Sequence, residues 1–74
     1  MQPVFISVRK GELKKHLLTH EGEEFIYIIK GEMIFRVANT EYALKAGDSL
    51  YFDALQPHGL QEVSEETHYL NMFV

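Results

Sequence analysis

Cysteine is absent from this 74-residue chain. That removes the disulfide as a source of stability and excludes every thiolate-based zinc site. No run of basic residues exceeds the pair Lys14-Lys15, and the formal net charge is −4. Such a chain offers no electrostatic footprint to a phosphate backbone, so direct nucleic-acid contact from this segment is not expected. The apolar runs are far too short to span a membrane and the N-terminus carries no signal-peptide pattern, so no membrane partner and a cytoplasmic location are expected. Internal repeats and low-complexity stretches are missing too.

What is present fits one small domain over residues 1–74. A hydrophobic content of 46% and an aromatic content of 12% are those of a globular chain. A domain of this size buries only about 60% of its unfolded surface, so it leans on a metal or a partner subunit for secure stability. With no thiol available, His16, His20, His58 and His68 become the inventory that matters.

Five glycines punctuate short β-rich runs: Val4 to Val8, Phe25 to Ile29, Met33 to Val37, Tyr42 to Leu44, Ser49 to Phe52, Leu60 to Val63 and His68 to Val74. The turn at Gly31 reads as a tight hairpin between the second and third of these. No capped helical window competes, and Glu12 to His20 reads as extended or irregular chain. Six to eight short strands with turn signals between them indicate an all-β fold, an antiparallel sandwich or small barrel.

One strand poses a chemical question. In Glu24 to Ile29, alternation puts Glu24 with Ile26 and Ile28, and Phe25 with Tyr27 and Ile29. Both rows are apolar, so both faces want covering. Glu24 then opens a row that points into a core, where an isolated carboxylate must be paired, protonated or bound to a metal. His20, four residues earlier across Gly22, and His58, between Pro57 and Gly59, are the available partners. Two imidazoles and one carboxylate form a facial set suited to iron, manganese, nickel or zinc. Taken alone, the His20 to Glu24 spacing is more commonly a surface pair.

The surrounding residues resemble the cupin superfamily, and the resemblance covers most of the chain. His20, Glu24 and Gly31 match the second histidine, the glutamate and the glycine of the first cupin motif; Ala46-Gly47-Asp48 opens the second motif, whose histidine is His58. The stretches "HEGEEFIYIIKGEM" and "LKAGDSLYFDALQPH" are similar to the C-terminal cupin sensor domain of helix-turn-helix (XRE-type) transcriptional regulators. The resemblance implies a truncated jelly roll, either free-standing or cut from a longer regulator. Leu18 stands where the motif's first histidine falls, and Glu62 where an asparagine commonly follows the second motif's histidine. Iron-dependent epoxidase relatives are similar in having two histidines and one glutamate.

The implied metal ligands are therefore His20, Glu24 and His58, around a divalent metal. Ile26, Ile28, Met33, Phe35, Leu50, Phe52 and Leu60 are expected as walls of the cavity, with His68, Tyr51, Phe52, Phe35 and Leu18 as pocket-lining residues. His16 is expected in solvent. Three functions fit: a small-molecule sensor serving a transcriptional regulator, a metal-dependent oxygenase, isomerase or lyase, and a ligand-free dimerisation module. A homodimer is expected under all three, because the row Phe25, Tyr27 and Ile29 needs a cover.

Overall fold

Strand runs of alternating character, broken by glycine every ten residues or so, build two antiparallel sheets. The computed structural model describes residues 2–74. Seven strands, β1 (Pro3–Arg9), β2 (Glu23–Lys30), β3 (Glu32–Val37), β4 (Thr40–Lys45), β5 (Ser49–Asp53), β6 (His58–Val63) and β7 (Glu66–Phe73), are joined by turns and one short 3₁₀ segment, Lys10–Glu12. One sheet runs β1-β7-β2-β5 and the other β4-β3-β6. The facing rows Ile26, Ile28, Phe52 and Tyr69 from the first and Met33, Phe35, Val37, Leu44 and Val63 from the second form the core. Leu50 and Leu60, expected in the wall, pack against it half-buried. This is the double-sheet arrangement of a small jelly roll, which leaves fewer open edges than a flat sheet would.

The turn at Gly31 departs from expectation. It does not close a hairpin: β2 and β3 lie in different sheets, and the chain crosses from one to the other there. A hairpin would have set the Ile26/Ile28 row and the Met33/Phe35 row side by side on one sheet; crossing over sets them face to face across the core. Gly31 takes φ = +86°, the left-handed region that favours glycine. Ser64 and Thr67 lock the corner. The Glu32 amide donates to Ser64 Oγ at 3.1 Å, and the Thr67 hydroxyl donates to the Glu32 carbonyl at 3.0 Å. The adjacent pair that does form a hairpin is β3 and β4, turning through Ala38 at φ = +55°.

Alternation places the ends of the first sheet's strands unequally. Glu24, Ile26 and Ile28 point inward, while Phe25, Tyr27 and Ile29 point outward. On β7 the inward row is Thr67, Tyr69, Asn71 and Phe73; His68, Leu70 and Met72 face out. The register pairs Ile26 with Asn71 and Ile28 with Tyr69, so Asn71 shares Glu24's side of the sheet near the same end. Among the described residues no helix is long and apolar enough to cross a membrane.

Candidate metal centre

Three side chains from two strands and one irregular segment meet at this end of the sandwich. Glu24 opens β2, His58 opens β6, and His20 sits in the segment between the 3₁₀ turn and β2. Backbone pairing holds that segment in place. Leu18 and His58 exchange amide-to-carbonyl bonds of 2.8 and 3.0 Å, the His20 amide donates to Ala54 at 3.0 Å, and the Ala54 amide donates to Gly22 at 2.9 Å. The segment lies so close over β6 that a Cβ on Gly59 would collide with the backbone carbonyl of His16. Glycine there is a condition of the close approach.

His20 Nε2 lies 2.7 Å from Glu24 Oε1, and His58 Nε2 lies 3.2 Å from the same oxygen. The candidate ligand atoms of all three fall within 4.8 Å of one another. Glu24 is 3% exposed and His58 4%, whereas His20 is partly open to solvent. Phe52, with its ring centroid 4.9 Å from that of His58, and Phe35, stacked on it at 6.3 Å, fix the plane of the His58 ring.

The other ring nitrogens decide what the site offers. His58 Nδ1 donates to the Gln56 carbonyl at 2.8 Å, and His20 Nδ1 donates to the Glu21 carbonyl at 3.1 Å. A carbonyl oxygen only accepts, so both protons sit on Nδ1 and each neutral ring turns the lone pair of Nε2 toward Glu24. Two lone pairs and a carboxylate oxygen at these separations demand a positive charge among them. That charge is either a proton or a metal ion. The Glu21 carbonyl first, and Glu24 second, raise the pKa of His20 above its ordinary value, which favours a proton there when no metal competes. The donor set fits the group the fold implies: backbone carbonyls orient both imidazoles, as outer partners of metal-bound histidines do. Two nitrogens and one oxygen leave positions open, in the manner of sites for iron and similar divalent ions.

The set floors a cavity of about 420 Å³. Its walls include Leu13, Leu18, Phe35, Leu60, Tyr69 and Phe73, and Lys14 and His16 stand with them. A second hollow of about 390 Å³, lined by Glu32, Ile34, Lys45 and Glu62 among others, lies away from these donors.

Of the residues expected to wall or line the pocket, Leu18, Phe35 and Leu60 do so; Ile26, Ile28, Met33 and Phe52 are instead buried in the core between the sheets, with Leu50 packed against it. Tyr51 and His68 do not. Tyr51 faces outward from β5, 55% exposed, with its hydroxyl donating to Glu23 Oε1 at 2.5 Å. His68 faces outward from β7, its Nε2 2.6 Å from Glu66 Oε2 and its ring edge-on to Phe5. His68, with Lys30 and Arg9, holds the Glu66 carboxyl below the usual range. The physical reason for both departures is strand register: a residue one step along points to the opposite face. His16, exposed as expected, nonetheless borders the cavity, with Nδ1 donating to the Lys14 carbonyl at 3.1 Å. Glu62 is exposed on β6 and lies outside the cavity.

Leu13, Lys14, Gly59, Tyr69, Asn71 and Phe73 line the cavity without having been expected there, and two of them, Tyr69 and Asn71, bring polar groups to it. Burial, and then the charge of Glu24, push the Tyr69 phenol above its usual pKa, so it stands in the wall as a neutral hydroxyl. Asn71 Nδ2 donates to Glu24 Oε2 at 3.3 Å, while its Oδ1 is buried without a partner. Such an unmade bond costs about 1–3 kcal/mol.

Two antiparallel sheets packed face to face, with a donor-lined hollow between the strand ends and the segment before β2, define an all-β domain of the jelly-roll class. The chain belongs to the cupin family, whose Cupin domain matches residues 4–73. No curated protein sequence matches it. Among solved structures it is similar to an HTH_3 family transcriptional regulator from Vibrio cholerae, at 21% identity and a TM-score of 0.76, covering 97% of this chain and 41% of that one. It is similar to HppE with cobalt(II) and substrate, at 19% identity and a TM-score of 0.79, covering 97% and 43%. A predicted oxalate decarboxylase from Thermotoga maritima is 26% identical with a TM-score of 0.71, covering 97% and 62%. The chain thus spans less than two thirds of the length of each.

Proposed function

We propose that this cupin is a small-molecule-sensing domain whose cavity is organised by a divalent metal on His20, Glu24 and His58, and that it serves a transcriptional regulator. The observation that carries the reading is the convergence of three basic atoms on one point, with both imidazoles already turned by backbone carbonyls. When bound, the metal would supply a Lewis acid or redox centre with open coordination positions. The chain's own residues hold it, shield it with Phe35 and Phe52, and shape an apolar wall for the ligand. The likeness to the Vibrio cholerae regulator supports the regulatory assignment.

Elemental analysis tests the metal. Purified wild-type chain is expected to carry a divalent metal that the His58→Ala chain lacks; equal metal in both would refute the assignment. Sensing predicts that small metabolites raise the melting temperature of the metal-loaded protein by mass action, and a panel without a single shift counts against it.

An enzymatic reading has one specific support, the neutral Tyr69 hydroxyl in the cavity wall beside a carboxylate and two imidazoles. Turnover of any member of the same panel with ferrous iron would favour that reading over sensing.

The outer face of the four-stranded sheet supports a homodimer. Phe5, Tyr27, Ile29 and Tyr51 lie on it at 57%, 39%, 43% and 55% exposure, beside Phe25, Leu70 and Met72. A patch of this kind on so small a domain is a contact surface. Wild type is expected to sediment at twice the chain mass, and Tyr27→Glu as monomer or aggregate. A wild-type chain that stays monomeric at high concentration removes the dimer from the proposal.

A further inference from the structure

The outer face of the four-stranded sheet carries unlike charges at its two ends. At one end Glu23 on β2 pairs with Asp53 on β5, and both are exposed. At the other, Lys30 on β2 pairs with His68 on β7, and Arg9 on β1 pairs with Glu66 on β7. The rows between are the apolar ones, with Phe25, Tyr27 and Ile29 along β2 itself.

Two carboxylates directly opposite each other on neighbouring strands repel. The chain does not relieve this pair. Glu23 accepts from the Tyr51 hydroxyl and Asp53 Oδ1 from the Leu55 amide at 3.0 Å, yet neither carboxylate meets a cation in an ion pair among the described residues. Lys30 and Arg9 form no ion pair either: Glu66 lies near enough to feel both, but its carboxylate is bonded to His68 at 2.6 Å. Lys10, Glu12 and Glu65 follow in the turns beyond. That end of the face is mixed in charge, whereas the Glu23 end has carboxylates without a cation.

Two sheets packed face to face commonly keep their strands within about 30° of each other. Two copies related by a two-fold axis can do so in two ways. With the axis along the strands, like end meets like end, and Glu23 and Asp53 of both copies crowd together. With the axis across the strands, each strand lies antiparallel over its own copy. Strand β2 then crosses itself at Tyr27, near its middle, with Phe25 over Ile29 and Glu23 over Lys30. The apolar rows are covered in either case, so charge decides between the two.

We infer that a second copy of this chain docks on the outer face in the antiparallel alignment, with Glu23 of each copy meeting Lys30 of the other. The carboxylate pair gains the cation that its own chain withholds, and symmetry repeats the contact. The metal-centre end of each copy then lies beside the Gly31 corner of the other, so the two centres stand at opposite ends of the assembly.

This inference rests on the homodimer reading above, and the test separates the two. Sedimentation equilibrium gives the dimer dissociation constant of wild type, Glu23→Lys, Lys30→Glu and the double variant, each at low and high sodium chloride. Either single reversal is expected to weaken the dimer at least about tenfold, since it turns both symmetric attractions into repulsions. The double variant exchanges the ends and is expected to return to within a few-fold of wild type, which a folding defect cannot imitate. Salt is expected to weaken the wild-type dimer and to narrow its lead over the single variants. A wild type that stays monomeric removes the homodimer and this inference with it. A dimer that Glu23→Lys leaves as tight or makes tighter, as relief of like charges would in the other alignment, overturns the antiparallel alignment alone. A double variant no tighter than the singles does the same.

Discussion

The Glu24→Gln chain is expected to fold and, on the proposed metal site, to bind divalent metal at least about a hundredfold more weakly than wild type, since even outer partners of metal ligands are worth tenfold to a hundredfold. Glutamine keeps the volume of glutamate and can still accept from Asn71. What it loses is the negative charge that balances a cation on two neutral imidazoles. Competition against a chromophoric chelator measures the difference, and equal affinity would show that Glu24 serves only to pair with His20 and His58.

The same substitution changes the response to pH. In the metal-free wild type the pKa of His20 is raised, by the Glu21 carbonyl and then by Glu24. A raised folded pKa contributes stability that is complete below the unfolded value, 6.5, and is lost as pH rises through the folded one. Metal binding runs the opposite way, because it needs the proton gone from Nε2. Raising the pH through this window is therefore expected to lower the melting temperature of the metal-free chain and to increase its affinity for metal. In Glu24→Gln the first trend weakens, since the second of the two causes is removed. His20 is partly solvated, so the stability change is a small one.

Gly31→Ala is expected to cost about 3 kcal/mol or more, of the roughly 4–11 kcal/mol that a domain of 74 residues has to lose. Two penalties coincide. An L-residue at φ = +86° pays about 1–2 kcal/mol for its backbone alone. The new Cβ would also stand 2.5 Å from the Glu66 carbonyl oxygen and 2.8 Å from both Ser64 Oγ and Thr67 Oγ1. The two hydroxyls cannot give way easily, because they carry the bonds that lock the corner between the sheets, and the Glu66 oxygen belongs to the backbone. Urea denaturation monitored by near-ultraviolet circular dichroism checks this. A midpoint close to that of wild type would mean that the corner is softer than its bonding implies.

Much of the fold and of the donor set is written locally. Strand β2 declares itself by β-branched and aromatic residues, and its period of two places Glu24 on the buried row; the structure has it there at 3% exposure. The cupin resemblance rests on His20, Glu24, Gly31, the Ala46-Gly47-Asp48 turn and His58, and the family match covers nearly the same span. The crossing at Gly31 was not legible. A glycine between two apolar strands signals a reversal, but whether the strands then pair depends on which partners lie across the core.

Strand β7 misleads for a different reason. Its apolar residues Leu70 and Met72 share a row with His68, and that row reads as the interior. In the structure they belong to the outer apolar face, while Thr67, Tyr69 and Asn71, the more polar row, point inward. Thr67 serves the Gly31 corner and Asn71 serves Glu24. Hydrophobic patterning fails at both because an interior polar group with a specific bond to make looks, in one dimension, like a surface residue. Tyr51 and His68 were misplaced by the same one-step ambiguity.

The tether over Gly59 divides labour within the molecule. Its backbone is stitched to β6 and Ala54, so His20 is held by amide and carbonyl groups that every residue type but proline possesses. The side chains of Leu13, Lys14, His16 and Leu18 hang from that tether around the chamber and take no part in the stitching, which Leu18 joins through its backbone alone. Selection can therefore rewrite the rim of the hollow one side chain at a time, while the seat beneath stays as it is.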